Sequence, residues 1–307
     1  MGKLRISIVE YLNTAPLVWG FTDGPLTGKY DLSFAVPSLC AAALRRGDVD
    51  VAIIPSIEYQ RIDNVVALPG MAVAAKGEVR SILVVAKKPI EMARRVALDS
   101  SSRSSQALVR ILAKEHWNIR PEFVESTPEP SEMLKDADAA LVIGDPALRI
   151  ALKMEALSVK VSSGGDCCKG DPEDMPVPGF ETVFVYDVAY QWREMTGKPC
   201  VLAIWAGRRQ LMTPEVVADF EASKKYGIER IREISEAASL KLELPAGPLR
   251  RYLTDNIHFG LEAEYLESLN LYYEKAAALG LIERFRPLEF APTYETSSAT
   301  SPARRGA

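Results

Sequence analysis

Apolar residues fall in short blocks along this chain, and the blocks alternate between two spacings. Residues 4–9 form an apolar-rich run that stops at a polar turn around Asn13, and Pro16 follows. A run of this kind reads as a buried strand, and a proline just behind a turn pre-sets the first turn of a helix. A strand is predicted at 31–36, a helix at 39–46 with Cys40, Ala43 and Leu44 on one face, and a strand at 49–54 ending at Pro55 and Ser56. The order then repeats. Strand 95–98 ends in Asp99 and a serine run, and helix 106–115 carries Leu108, Val109, Ile111 and Leu112 on one side. Strand 122–125, helix 131–135 and strand 139–143 follow, the last ending at Gly144 and Asp145. Each unit is β-α-β-α-β, which predicts an α/β fold of two lobes, each a mostly parallel sheet flanked by helices.

Two such lobes imply a ligand cleft between them. Residues 81–86 read as a further strand, with Lys87, Lys88 and Pro89 as its exit to the second lobe; 201–205, after Lys198 and Pro199, read as the return. The expected division is 1–87 with 200–290 as a discontinuous first lobe and 88–199 as the second. Amphipathic helices at 215–240, 249–252 and 261–279 are assigned to the first lobe. The Gly-, Pro- and Asp-rich stretch 164–179 is expected to be a loop, and the polar tail 291–307 to be disordered.

Composition narrows the function more than the fold. The 307 residues are 48% hydrophobic and 25% charged, an ordinary globular balance, and the net charge of −4 argues against nucleic acid or an anionic membrane surface as a partner. No apolar run approaches the ~20 residues of a membrane span. Met1-Gly2-Lys3-Leu4-Arg5 leads straight into a strand rather than into a signal-peptide core, so a cytoplasmic location is expected, with Cys40, Cys167, Cys168 and Cys200 reduced. Two histidines, His116 and His258, exclude a His-rich metal site; His116, at the polar end of a helix pattern, reads as a surface residue and His258 as structural. Glycine-rich nucleotide loops, CxxC, HExxH and GxSxG are missing from the sequence, which removes support for phosphoryl transfer, hydride transfer and zinc hydrolysis.

The candidate chemistry lies where strands end. In an open α/β sheet ligands bind beyond the carboxyl ends of the strands. The first lobe offers Asn13, Thr14, Ser38 and Ser56 there; the second offers the run Ser100-Ser101-Ser102-Arg103-Ser104-Ser105 and Asp145. Ser102 is the candidate N-cap, which leaves the N–H groups of Ser104 and Ser105 free, with Arg103 beside them: an anion site for a carboxylate or phosphate. Plainer roles exist for each: Asn13 as a turn residue, Ser56 and Asp145 as helix caps, the serine run as a capped surface helix. Glu10, the carboxylate closest to Asn13 in sequence, is a candidate base or one half of an ion pair.

These strings resemble the chorismate dehydratase family of the futalosine route to menaquinone. The resemblance rests on Tyr11-Leu12-Asn13-Thr14-Ala15-Pro16-Leu17, Ile54-Pro55-Ser56-Ile57-Glu58-Tyr59, Asp99-Ser100-Ser101-Ser102-Arg103-Ser104-Ser105, Ile143-Gly144-Asp145-Pro146-Ala147-Leu148 and Trp192-Arg193-Glu194-Met195-Thr196-Gly197-Lys198-Pro199, in order over about residues 4 to 285. It implies a type II periplasmic-binding-protein-like fold that stays in the cytoplasm. It also implies cofactor-free loss of water from chorismate, a small dicarboxylate, to give 3-[(1-carboxyvinyl)oxy]benzoate. On this reading Arg103, Ser104 and Ser105 hold a carboxylate, Asn13 acts in catalysis, and Ser81 joins Asn13 in orienting the ring. Ser56, Ser102 and Asp145 complete the binding set. Two alternatives stay open: a 1,4-dihydroxy-6-naphthoate synthase-like enzyme, which uses a cleft histidine, and a non-catalytic small-anion solute-binding protein. Oligomeric state is not legible.

Overall fold

Strand β1 (Arg5–Val9) has four of its five residues buried and lies between two parallel neighbours, β2 (Asp31–Ala35) and β3 (Val51–Pro55). The computed structural model describes residues 2–159 and 165–294. Between these strands run α1 (Ala15–Thr22), entered through a 3-10 turn at Leu12–Thr14, and α2 (Pro37–Arg46). Strand β4 (Val65–Ala75) and, from much later in the chain, β11 (Cys200–Arg208) complete this first sheet in the order β2-β1-β3-β11-β4, with β11 antiparallel to both of its neighbours.

The second sheet repeats the parallel core. Strand β6 (Arg95–Asp99) pairs in parallel with β7 (Glu122–Ser126) and β8 (Ala139–Ile143), connected by α3 (Arg103–Glu115) and α4 (Pro130–Asp136). Three antiparallel strands extend it: β5 (Ile82–Ala86), β10 (Thr182–Asp187) and β9 (Asp166–Lys169), for an order β7-β6-β8-β5-β10-β9. Helix α5 (Gly144–Ala156) follows β8, and α6 (Val188–Thr196) leads back towards β11. Strands β3, β5 and β8 are buried at every residue, as strands covered on both faces must be.

Several sequence expectations need adjusting. Strand β5 pairs with β8 and β10, so the chain crosses between sheets before Ile82 and not at Lys87 to Pro89. The stretch read as a loop at 164–179 contains β9, and the single helix expected at 215–240 is two, α7 (Pro214–Ile228) and α8 (Ile231–Leu242). Helix α3 starts at Arg103, three residues before the start at 106 expected from sequence. Residues 289–291 pair onto β4 through Ala67, while 295–307, most of the expected disordered tail, lie outside the described residues.

Helices α7, α8, α9 (Ala246–Arg251) and α10 (Ala263–Ala278) all follow the return at β11. Helix α1 sits so close to α7 that a Cβ on Gly227 would lie 2.1 Å from the Pro16 carbonyl oxygen. Ser223 Oγ on α7 donates to the Leu17 carbonyl at 3.0 Å, and Phe21 and Trp205 both meet Phe220 edge-on, with ring centroids 4.9 Å away. These contacts anchor α1, and with it the turn that precedes it.

The crossing into the second sheet is pinned by Asp187, which is 2% exposed at the start of α6. Its Oδ1 accepts from the Ala189 and Tyr190 N–H groups at 3.0 Å, capping α6, and its Oδ2 accepts from Arg80 N at 2.6 Å. Arg80 has φ 61°, a conformation that costs a non-glycine residue free energy and needs such a tether. Asp187→Ala is therefore expected to lose roughly 3 kcal/mol, because three backbone donors, one buried and two part-buried, lose one acceptor group. Urea unfolding checks this: the midpoint should fall at unchanged m, whereas a shift below the error of the midpoint would remove Asp187 from this role.

Candidate active site

The carboxyl ends of β1 and β8 face one another across the gap between the sheets, and the loops that follow them enclose a small cavity. Asn13, Ser81, Ser102 and Ser105 all line it, together with Tyr11 and Gly144. Four residues singled out from sequence thus converge, two from the Asn13 turn and the crossing, two from the serine run. The cavity is about 50 Å³, well below the ~300 Å³ at which small-molecule sites begin. Its side chains offer hydroxyls and one amide, and no carboxylate, imidazole or ammonium.

Local structure explains each position. Thr14 Oγ1 donates to the Val9 and Tyr11 carbonyls, at 2.5 and 2.8 Å, closing the turn on itself. Thr14, and not Asn13, occupies the N-cap position of α1, so the Asn13 amide is not consumed as a cap. Ser102 is the N-cap residue of α3, as expected, but its hydroxyl donates to Ser105 Oγ at 2.8 Å instead of accepting from a helix N–H. The first intrahelical bond is Gln106 N to the Ser102 carbonyl, so the N–H groups ahead of it have no intrahelical partner.

The serine hydroxyl of the crossing is tied to a residue the sequence reading missed. Tyr252, 1% exposed, donates its hydroxyl to Ser81 Oγ at 2.8 Å. Burial raises the phenol's pKa well above the usual value. Tyr252 begins a π-helical turn, Tyr252–Asn256, that follows α9. One aromatic residue in an amphipathic stretch carries no local mark of such a role; only the fold brings it to Ser81.

Other predicted residues lie elsewhere. Ser56 and Ser104 are buried and fully engaged with each other: Ser56 Oγ contacts Ser104 Oγ at 3.1 Å and donates to the Val201 carbonyl, while Ser104 Oγ accepts from Ile57 N at 3.1 Å. They join the first lobe to α3 and do not line the cavity. Arg103 is exposed and away from the cavity. The reason is helical geometry: residues three apart share a face, so Ser102 and Ser105 point inward and Arg103, about 100° round the helix, points out. Glu10 is exposed and ion-paired with Lys241 of α8 at 2.8 Å, which takes it out of the site both as base and as a source of repulsion. His116 ends α3, and His258 makes an isolated bridge with Ala74; neither lines the cavity. Among the described residues no cluster of His, Cys, Asp or Glu could hold a metal ion, and no helix is long and apolar enough to cross a membrane.

Asp145 has a different task from the binding role expected of it. Its Oδ1 accepts from Leu12 N at 3.1 Å, so a carboxylate of the second lobe holds the Asn13 turn of the first. Burial raises the Asp145 pKa, opposed by that N–H bond. A second clasp is Ser38 N to the Ser101 carbonyl at 3.0 Å. A third is steric: the Tyr11 ring lies on Gly144, where a Cβ would sit 2.6 Å from ring carbons. Asp99, at the head of the serine run, is fully buried; its Oδ1 accepts from Ser101 N and Oγ, its Oδ2 has no hydrogen-bond partner, and burial raises its pKa. The three clasps define a closed arrangement of the lobes, and any ligand larger than the cavity must enter with them apart.

Two mixed sheets, a double crossing and a small cavity between them define a two-lobed protein with a periplasmic-binding-protein-like fold. Solved structures agree on that fold. The protein AF1704 from Archaeoglobus fulgidus superposes with a TM-score of 0.66 at 20% identity, covering 91% of this chain and 98% of its own. The aliphatic sulphonate binding protein SsuA from Escherichia coli gives 0.57 at 15% identity, covering 94% of each. At the level of sequence, a family model described as menaquinone biosynthesis matches residues 4–278, and the chain belongs to that family. A chorismate dehydratase from Thermus thermophilus is 30% identical over 283 residues, 92% of this chain and 97% of that protein.

The closed arrangement yields a test. Gly144 has φ +67° as well as the Tyr11 ring against it, so Gly144→Ala both strains the backbone and pushes the lobes apart. Small-angle scattering should give a larger radius of gyration than wild type with unchanged circular dichroism; an identical scattering curve would contradict the Tyr11 clasp.

Proposed function

We propose that this chain is a chorismate dehydratase, converting chorismate to 3-[(1-carboxyvinyl)oxy]benzoate and water for menaquinone synthesis. The observation that carries the reading is the convergence of Asn13, Ser81, Ser102 and Ser105 on one inter-lobe cavity, in a chain of the menaquinone-biosynthesis family with a chorismate dehydratase relative over nearly its whole length.

The chemistry fits neutral polar groups. Chorismate is a dianion, and hydroxyls and helix N–H groups bind carboxylates without a compensating buried cation. Ser102, Ser105 and the free N–H groups of α3 hold one carboxylate. Asn13 and Ser81 orient the ring substituents. The C3 proton is vinylogous to the ring carboxylate, so fixing that carboxylate stabilises the charge that develops as the proton leaves. The C3–H and C4–O bonds break, the ring becomes aromatic, and H and OH depart as water. No side chain lining the cavity is an evident base. In this reading the enolpyruvyl carboxylate of the substrate takes the C3 proton, which is then available to the departing hydroxide. Closure of the lobes excludes solvent and fixes the geometry. The four cysteines are unpaired, which fits a reducing compartment, and we place the protein in the cytoplasm.

The experiment is to incubate the metal-free protein with chorismate and follow products by liquid chromatography with mass detection. Loss of one water to an aromatic enolpyruvyl ether is expected. Asn13→Ala should lower kcat/KM by roughly a hundredfold or more, and Arg103→Ala, which removes an exposed group, should stay within about twofold of wild type. Binding without turnover would replace the enzyme by a receptor, and equal loss in both variants would overturn the assignment of the serine run.

A further inference from the structure

Strand β6 ends in a buried carboxylate of which only one oxygen is used. Asp99 is 0% exposed, and its Oδ1 accepts from Ser101 N at 2.8 Å and from Ser101 Oγ at 2.6 Å. Its Oδ2 has no hydrogen-bond partner among the described residues. The Asp99 main-chain carbonyl is engaged twice as well, by Ser102 N at 3.3 Å and by Gln106 Nε2 at 2.9 Å. A buried oxygen without a donor costs free energy. The chain carries that cost at a position where the geometry calls on a single side-chain acceptor.

These four bonds fix the loop at residues 100–102, on which the anion-binding end of the site is built. The N–H groups of Ser101 and Ser102 are spent on Asp99. Helix α3 then opens with those of Arg103, Ser104 and Ser105, which precede its first intrahelical bond, Gln106 N to the Ser102 carbonyl. The same loop brings the Ser101 carbonyl to Ser38 N of the first lobe at 3.0 Å. It also carries Ser102, whose hydroxyl meets Ser105 Oγ at 2.8 Å on the cavity wall. Gln106 reaches back from the first turn of α3 to the end of β6, so α3 cannot rotate without breaking that bond. Asp99 does not line the cavity, so it acts on a ligand there only through this loop.

We propose that Asp99 is a positioning residue: through one carboxylate oxygen and its own carbonyl it sets the rotation of α3, the N–H groups offered to a substrate carboxylate and the Ser101 half of the clasp to Ser38. What the site uses is the acceptor, not the charge. The functional half of this rests on the dehydratase reading; the role of Asp99 in holding the loop does not.

The test compares Asp99→Asn, which keeps an accepting oxygen and removes the charge, with Asp99→Ala, which removes the acceptor, each in the full chain. The first readout is amide hydrogen exchange of the peptide spanning residues 99–106, followed by mass spectrometry. Exchange should be at least about tenfold faster than wild type in Asp99→Ala and within about threefold of it in Asp99→Asn. The second readout is steady-state turnover of chorismate. KM should rise roughly tenfold or more in Asp99→Ala and stay within about threefold in Asp99→Asn. A loss of folded molecules lowers the apparent kcat and leaves KM alone, so KM separates positioning from stability. Should Asp99→Ala fold poorly, Gln106→Leu removes the second tether at similar volume and is expected to move both readouts in the same direction. Unchanged exchange in Asp99→Ala overturns the proposal whatever the activity. An Asp99→Asn variant as impaired as Asp99→Ala overturns it too, because the charge would then be what the site uses. Faster exchange with wild-type KM overturns the link to the carboxylate site. A wild type that protects this peptide and leaves chorismate untouched would fail the dehydratase reading alone.

Discussion

Everything at the cleft depends on how the turn at Leu12–Thr14 is held from both lobes at once. From behind, α1 is seated on α7 through Gly227 and the Ser223 bond to the Leu17 carbonyl. From across the gap, Asp145 takes the Leu12 N–H. A slip of this turn along the chain would carry Asn13 out of the cavity, and neither lobe alone supplies both anchors. The consequence is that the site exists only when the lobes meet. Binding free energy spent on closing them is spent on assembling the reacting geometry, which is where it raises kcat instead of merely lowering KM.

The chemical character of the cavity follows from what closure costs. A buried cation facing a dicarboxylate would need desolvation that a well-placed pair only partly repays. Serine hydroxyls and helix N–H groups avoid this, because they are already neutral and already oriented when the lobes come together. The charged groups nearby are kept apart from the cavity: Glu10 pairs with Lys241 on the surface, Arg103 faces outward, and Asp99 is sealed behind Ser101. Burial raises the Asp99 pKa, opposed by its bonds from Ser101.

Much of this is legible in the sequence because the parallel core is strictly periodic. The two β-α-β-α-β units, their lobes and the strand ends at Asn13 and Gly144 follow from apolar blocks alone. What escapes has physical reasons. Strand β4 carries Pro69 and Gly70 at its centre, a pair that reads as a turn; the ladder to β11 shifts register beside it between Ala67 and Ala72. The crossing is misplaced in sequence because Lys87, Lys88 and Pro89 look like a linker, while partner choice for β5 is decided by β8 and β10, both distant along the chain. Arg103 falls into the expected site because a motif does not state which way a helix is rotated; Ser102 and Ser105 obey the same helix and do face inward. Ser56 and Ser104 sit at the functional edge yet are spent on each other. Tyr252 cannot be found at all without the fold, since its partner is Ser81, 171 residues away in sequence.

The central claim is that substrate lies between the lobes against Asn13, Ser81, Ser102 and Ser105. A crystal structure of Asn13→Ala with chorismate tests it most directly. The account predicts an intact ligand enclosed between the two sheets, with one carboxylate at Ser102 and Ser105 and the ring beside Ser81. Ligand bound outside the cleft, for instance in the apolar groove between α1 and α8 beside Lys241, with the lobes closed as they are here, would contradict it.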